Sequence, residues 1–226
     1  MAKSLNFKLK KIREASSEIF IPTEEKVSKK LPVFYNPVME LNRDITILLL
    51  QDFPPMSLCD PLAASGIRSI RFAKELSYES ITANDLNKNS VALINKNMRH
   101  NKVKFEVHNK DANLLFLESK GFDFIDLDVF GSPNFVLDAA CKKLSRNGIL
   151  AITATDTSAL CGTFPKACLR KYWAIPKKGP MMHETGLRIL IRKVQLIAAQ
   201  YDKALIPIFS YSKEHYMRVF LKNEKG

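Results

Sequence analysis

The feature that most constrains this chain is a repeated one, a short apolar run that stops at an aspartate. Met56-Ser57-Leu58-Cys59 stops at Asp60, Ser80-Ile81-Thr82-Ala83-Asn84 at Asp85, and Lys104-Phe105-Glu106-Val107-His108 shortly before Asp111. Phe122 to Ile125, broken only by Asp123, stops at Asp126 and Asp128. Runs of this length bounded by turn signals read as buried strands. Ile67 to Leu76 and Leu86 to Asn101, between them, have helical periodicity. Strands alternating with helices build parallel crossover units. In open parallel sheets, ligands sit beyond the carboxyl ends of the strands. A single aspartate there is more often a helix N-cap than a ligand, but aspartates at four successive strand ends favour a nucleoside pocket.

The first strand leads into Asp60-Pro61-Leu62-Ala63-Ala64-Ser65-Gly66, a loop of small residues that lets a ligand approach the backbone closely. It is neither G-x-G-x-x-G nor G-x-x-x-x-G-K-[ST]. With one glycine and no loop lysine, it suits a ligand without phosphates. Asp85, at the end of the second strand, stands where a ribose diol is bound. Asp111 can accept from an exocyclic amine of adenine, and Ala112 can offer its backbone N–H to a ring nitrogen. At the fourth strand end, in Asp126-Leu127-Asp128-Val129-Phe130-Gly131-Ser132-Pro133, Asp128 offers a carboxylate to an amine and Phe130 a ring that stacks on a base. Phe34 and Tyr35 lie just before a helix expected over Met39–Leu50, where an aromatic ring faces either core or ligand. Arg43 projects from that helix.

Asn134–Leu144 reads as a helix, Ile149–Thr155 as a fifth strand, and Asp156–Gly162 as a polar rim loop. A helix from His183 through Tyr201 and two antiparallel strands, Ala204–Phe209 and Tyr216–Leu221, close the chain. Residues 1–32 read as a basic extension holding a β-hairpin that turns near Ala15-Ser16-Ser17, and residues 33–226 as the catalytic domain. Net charge is +12, from 35 Lys plus Arg against 23 Asp plus Glu, which favours a polyanionic partner such as nucleic acid. Lys8, Lys10, Lys11, Arg13, Lys26, Lys29 and Lys30 are candidate phosphate contacts. Lys166 to Lys178 interleaves basic residues with Tyr172 and Trp173, a mixture suited to unpaired RNA or to a surface helix with its aromatics turned inward. Cys59, Cys141, Cys161 and Cys168 form no C-x-x-C pair and the histidines are scattered, so no metal site is expected. Apolar runs such as Ile47–Leu50 fall far short of the roughly 20 residues of a membrane span, and Met1–Lys8 lacks the apolar core of a signal peptide. A cytoplasmic location follows, and no feature calls for a protein partner.

The order of five strands with crossover helices, a further helix and a terminal strand pair resembles the class I S-adenosylmethionine-dependent methyltransferases. Phe34-Tyr35-Asn36-Pro37-Val38-Met39, Asp60 to Arg68, Asn84-Asp85-Leu86-Asn87, Asp126 to Pro133, Thr153-Ala154-Thr155-Asp156 and His183-Glu184-Thr185-Gly186-Leu187-Arg188 are similar to the motifs of the tRNA (guanine-26 N2)-dimethyltransferases. The resemblance implies a Rossmann-like α/β fold with a mixed, mostly parallel seven-stranded sheet covered by helices on both faces. It implies S-adenosyl-L-methionine contacts at Arg43, Arg68, Asp85, Asp111 and Ala112, with Asp60 on the same rim. Handling of a tRNA base is implied for Phe34, Asp128 and Phe130. Asp128 to Pro133 is also similar to the Asp/Asn-Pro-Pro-Tyr motif of exocyclic-amine methyltransferases, with Val129 and Gly131 in place of its prolines. The compact form points to an archaeal member. The family usually continues into a C-terminal domain that helps hold tRNA, and Asn223-Glu224-Lys225-Gly226 falls about where that domain would begin. The competing readings are a methyltransferase on another amine, such as adenine N6 or a protein glutamine, and a non-catalytic RNA-binding module on the same fold.

Overall fold

The computed structural model describes residues 7–23 and 31–225, so Lys26, Lys29 and Lys30 lie outside the described residues. The chain forms two compact units, residues 1–115 and 116–226. Its main sheet is seven-stranded and mixed, mostly parallel, in the order β5-β4-β3-β6-β7-β9-β8, with a separate two-stranded hairpin near the N-terminus.

In the first unit, the hairpin β1 (Leu9–Glu14) and β2 (Ser17–Pro22) turns at Ala15, which has φ 47°. Asn36 accepts from the Val38 N–H and so opens a 3₁₀ turn, Pro37–Met39, that runs into α1 (Glu40–Gln51). Then come β3 (Ser57–Asp60), α2 (Ile67–Glu75), β4 (Ser80–Asn84), α3 (Lys88–His100) and β5 (Glu106–His108). β3, β4 and β5 pair in parallel, with Asp60 level with Ala83 and Asn84 level with His108. The strand ends are therefore brought side by side, as the apolar runs predict.

The hairpin is packed into this unit. Ile19 and Ile21 are buried against Ile67 and Ile70 of α2, and each buried aliphatic side chain contributes about 1.5–3 kcal/mol. Two asparagines one turn apart, Asn97 on α3 and Asn101 capping its end, bond the open edge of β2. Asn97 accepts from the Phe20 N–H at 2.8 Å and donates to the Phe20 carbonyl at 3.0 Å; Asn101 does the same at Glu18, at 3.1 and 2.7 Å. A helix thus satisfies a strand edge that would otherwise present unpaired backbone groups. Glu14, at the end of β1, is buried and accepts from Arg43 at 2.6 Å through both oxygens, from Arg71 at 3.1 Å and from the Tyr35 hydroxyl at 3.1 Å.

α4 (Ala112–Glu118) lies in a stretch that the sequence pattern leaves unassigned, because Leu114 to Leu117 is apolar all round; only Leu115 and Phe116 are buried. The second unit holds β6 (Phe122–Asp128), α5 (Asn134–Lys143), β7 (Leu144–Ala154), α6 (Thr157–Leu160), α7 (Pro165–Tyr172), α8 (Met182–Ala199), β8 (Lys203–Lys213) and β9 (Tyr216–Lys225). β6 pairs with β7 in parallel, while β9 runs antiparallel between β7 and β8. β7 starts earlier than expected because Asn147-Gly148, a turn signal, is carried inside the strand as an irregularity. Asn147 has φ 62°, and a Cβ on Gly148 would lie 2.9 Å from the Asp123 carbonyl oxygen. β8 and β9 are longer than expected, leaving only Glu214 and His215 between them. Among the described residues no helix is long and apolar enough to cross a membrane.

Glu14→Ala takes the carboxylate partner from the buried Arg43 and one of three from Arg71, which keeps Asp44 and Glu75, and is expected to cost about 3–5 kcal/mol in denaturant unfolding at neutral pH. Burial pushes the Glu14 carboxyl up, but the Arg43 and Arg71 contacts outweigh it and hold it below the ordinary 4.5. Its stabilising contribution is therefore present above the unfolded-state value and is lost as the pH falls through the lower folded-state value. The gap between wild type and variant should close over that acid range. Equal unfolding midpoints at pH 7 would show that the cluster contributes nothing net.

Candidate functional site

The rim of the first unit is built around Asn84. It is fully buried, donates to the Pro61 and Lys110 carbonyls at 3.0 Å each, and accepts from the Lys110 N–H at 3.0 Å. One amide therefore ties the loops after β3 and β5 to the end of β4. Asn109 adds bonds to the Asp85 and Leu86 carbonyls at 2.8 and 2.9 Å. In the sequence Asn84 is marked by the Asn84-Asp85-Leu86-Asn87 motif, whereas Asn109 has no signal beyond its position just past a strand end.

Asp85 follows directly and is half-buried. Its two oxygens accept from the Asn87 and Ala64 N–H groups, at 2.8 Å each. Ala64 has φ 48° and Gly66 φ 79°, so the small-residue loop turns back toward this carboxylate. A Cβ on Gly66 would come within 3.0 Å of Ile94, which is why the residue opening α2 is a glycine. Burial pushes the Asp85 carboxyl up, opposed by the Asn87 and Ala64 N–H donors and the Ser90 hydroxyl. A carboxylate has about four acceptor positions, and the Ser90 hydroxyl is a rotor that can yield to a ligand. Asp111 is exposed and its carboxylate accepts from the Asn113 N–H at 2.9 Å, capping α4. Ala112, the first residue of that helix, is buried, and first-turn N–H groups have no acceptor within their helix. Asp85, Asp111, Ala112 and the 60–66 loop thus form one rim of carboxylates and backbone donors.

Arg43, Arg68 and Asp60 are placed deeper. Arg43 is 5 % exposed and pairs with Glu14. Arg68 is 4 % exposed and donates to Asn42 at 2.9 Å and to Thr46 at 3.4 Å, joining α2 to α1. Asp60 is buried and accepts from the Ser69 hydroxyl at 2.8 Å. Each of these therefore has a part in packing α1, α2 and β3. Phe34 is half-buried beside the 3₁₀ turn.

In the second unit, the strand-end acids separate. Asp126 is not on the rim. It is fully buried within the sheet and takes two bonds from Arg218, at 2.8 and 2.7 Å; the same guanidinium also donates to Thr153 at 3.0 Å. The sequence could not tell Asp126 from Asp128 because Arg218 lies 92 residues further on. Asp128 is half-buried at the last residue of β6, Val129 turns inward, and Phe130 is 44 % exposed. Gly131 has φ 80°; its N–H donates to the Thr155 hydroxyl at 2.6 Å and its carbonyl accepts from the Thr155 N–H at 3.0 Å. That clip fixes the Asp128–Gly131 turn to the end of β7. Tyr216 is 1 % exposed, and burial first, then the charge of Asp128, raises its phenol. Asp156 is also engaged, accepting from Tyr172 and, at 3.0 Å, from Lys171 of α7.

Residues 11–226 match a family model described as "TRM: N2,N2-dimethylguanosine tRNA methyltransferase". The chain is 43% identical over 228 residues to a tRNA (guanine(26)-N(2)/guanine(27)-N(2))-dimethyltransferase of Aquifex aeolicus, covering 95% of this chain and 58% of that one. It is 44% identical over 232 residues to a tRNA (guanine(26)-N(2))-dimethyltransferase of Thermococcus kodakarensis, covering 95% and 61%. The structure of Trm1 from Pyrococcus horikoshii in complex with S-adenosyl-L-methionine superposes with a TM-score of 0.90 at 40% identity, covering 96% of this chain and 62% of that one. The chain thus spans about three-fifths of the length of the relatives it matches.

Asp126→Ala strands a buried guanidinium and is expected to lower stability by about 3–5 kcal/mol, while the double replacement Asp126→Leu with Arg218→Met should recover most of that loss. Urea unfolding of the single and double variants measures both; a double variant no more stable than the single one would contradict this.

Proposed function

Because the chain belongs to the family of N2,N2-dimethylguanosine tRNA methyltransferases, we propose that it methylates the exocyclic N2 of guanine 26 in tRNA, using S-adenosyl-L-methionine. The observation that carries this reading is the Asp128–Gly131 turn, which offers a half-buried carboxylate beside an exposed phenyl ring on a backbone clipped to Thr155. Such a pair suits a purine amine. Residues 33–226 are read as the catalytic domain and 1–32 as its extension, working in the cytoplasm where tRNA is the partner.

The first-unit rim fits the cofactor's polar groups. Asp85 would accept from the ribose hydroxyls, its carboxylate already aimed by two backbone donors. Asp111 would accept from the adenine amine, and Ala112 would donate its N–H to a ring nitrogen. Arg43, Arg68 and Asp60, engaged in packing, would contribute through what they hold in place as much as through contact. When bound, S-adenosylmethionine supplies a methyl carbon made electrophilic by its sulfonium.

Guanine N2 is a weak nucleophile, since its lone pair is delocalised into the purine, and it is out of reach inside a base stack. The base is therefore flipped out, and the exposed Phe130 would hold it by stacking, worth roughly 1–3 kcal/mol per base, with Phe34 a second candidate for base handling from the family motif. Asp128 accepts a hydrogen bond from N2–H and so directs the lone pair at the methyl carbon. Orientation of this kind carries much of the barrier reduction. An N–C bond would form as the methyl–sulfur bond breaks and leaves a neutral thioether; the Asp128 carboxylate would stabilise the positive charge that grows on N2, and the displaced proton would leave to that carboxylate or to water. A monomethylated amine still has one N–H, so the same contact serves a second cycle.

Nucleoside analysis of unmodified tRNA after incubation with the chain and cofactor should show N2-methylated guanosine at position 26. Asp128→Ala should abolish transfer with cofactor affinity nearly unchanged; wild-type turnover in that variant would remove Asp128 from the chemistry. Asp85→Asn should weaken cofactor binding in calorimetry. Burial raises the Asp85 carboxyl above the ordinary 3.8, and the ribose contact needs the charged form. Wild-type cofactor affinity should therefore begin to fall on acidification at a higher pH than an ordinary aspartate would give, and the asparagine variant should lose that dependence. A pH-independent wild-type affinity would contradict the ribose assignment.

A further inference from the structure

α7 presents an unusual outer stripe. Lys166 and Trp173 are each three and four residues from the adjacent pair Leu169 and Arg170, and all four are exposed, Leu169 at 53 % and Trp173 at 57 %. Cys168 and Tyr172 fill the opposite, buried face. The sequence pattern offered aromatics turned outward or inward, and the structure divides them: Tyr172 goes in and Trp173 comes out. Trp173 caps the helix in the left-handed conformation, φ 58°, a place where glycine is usual. A bulky residue is uncommon there.

The ring is also held from below. Lys193 of α8 is 4 % exposed and places its ammonium 2.9 Å from the centroid of the Trp173 ring. Among the described residues Lys193 forms no ion pair, so the ring face is its electrostatic partner, and a desolvated cation–π contact of this kind fixes ring orientation. With one face against that cation and 57 % of the residue in solvent, the ring is a rigid, outward-facing plate. Lys166, Arg170, Lys177 and Lys178 bring positive charge around it, and Phe164 and Ile175 are 59 % and 79 % exposed nearby in the sequence. α7 is tied to the acceptor turn of the same unit. Asn134, just after the Asp128–Pro133 turn, donates to the Lys171 carbonyl at 2.7 Å, and Tyr172 donates to Asp156.

We propose that Trp173 is a stacking platform for an unpaired base of the RNA substrate, with Lys166 and Arg170 contacting the flanking phosphates. The inference rests on the RNA reading above and names where on the second unit the RNA lies. Stacking on a fixed aromatic plate is sequence-tolerant, so the platform would hold the tRNA in place without choosing the target base.

Trp173 is the only tryptophan of the chain, so its emission reports on this contact alone. The 226-residue chain would be titrated with unmodified tRNA, following tryptophan emission together with the anisotropy of labelled tRNA. Quenching that tracks binding is expected, with heparin giving little quenching at equal occupancy. Trp173→Ala should weaken tRNA binding about tenfold and Trp173→Phe much less, both with unchanged S-adenosylmethionine affinity. Arg170→Ala should lower the slope of log affinity against log salt by about one. Binding of tRNA without quenching, equal quenching by heparin, or undiminished affinity in Trp173→Ala would overturn the platform and leave the wider RNA reading standing. Failure of the wild-type chain to bind tRNA at low salt would overturn both.

Discussion

The second unit depends on one guanidinium. Arg218 of β9 reaches across β7 to Asp126 of β6, bonding Thr153 on the way, and all three side chains are fully buried. A buried pair of this kind adds little net stability over a well-packed apolar substitute, but losing one partner is costly. Its consequence here is register. Thr153 is level with both Asp128 on β6 and Arg218 on β9. A one-residue slip would turn every side chain to the opposite face and leave two charges buried apart. With the register pinned at Asp126, Asp128 two residues later is fixed at the strand end, on the same face.

The first unit reaches the same kind of order with amides and a second buried carboxylate. Asn84 gathers three strand ends, while Asn97 and Asn101 supply a helix-borne partner for the edge of β2. Glu14 then locks the hairpin to α1 and α2 through Arg43 and Arg71. A hairpin alone is marginal in water. This one is held by buried isoleucines, by bonds to its backbone edge and by a charge cluster, so it is part of the unit's core.

Much of this was legible in the sequence, and the reason is local. A short apolar run followed by an acid or a turn residue fixes a strand and its end, so β3, β4, β5 and β6 and the positions of Asp85, Asp111, Ala112 and Asp128 could be read directly. What escaped depends on distant partners or on competing local signals. Asn147-Gly148 reads as a turn but is absorbed in β7. Asp126 and Asp128 look alike until Arg218 is placed. Arg43 reads as a projecting residue, yet it is buried because Glu14, 29 residues earlier, folds back to it. The hairpin's basic surface says nothing of the isoleucines that anchor it.

Burial finally sorts the aspartates by task. An ionised carboxylate taken out of water needs partners that hydrogen-bond it. Asp60 finds Ser69 and Asp126 finds Arg218, and each of these contacts joins two elements of its own unit. Asp85, Asp111 and Asp128 sit at strand ends without being fully buried. Asp85 and Asp111 are aimed chiefly by backbone N–H groups, which fix a carboxylate's direction without neutralising its charge. An acid aimed but still charged and reachable is what recognition of hydroxyls and amines requires. The same residue type, repeated at strand end after strand end, therefore builds the scaffold where it is covered and stays open to solvent where it is not.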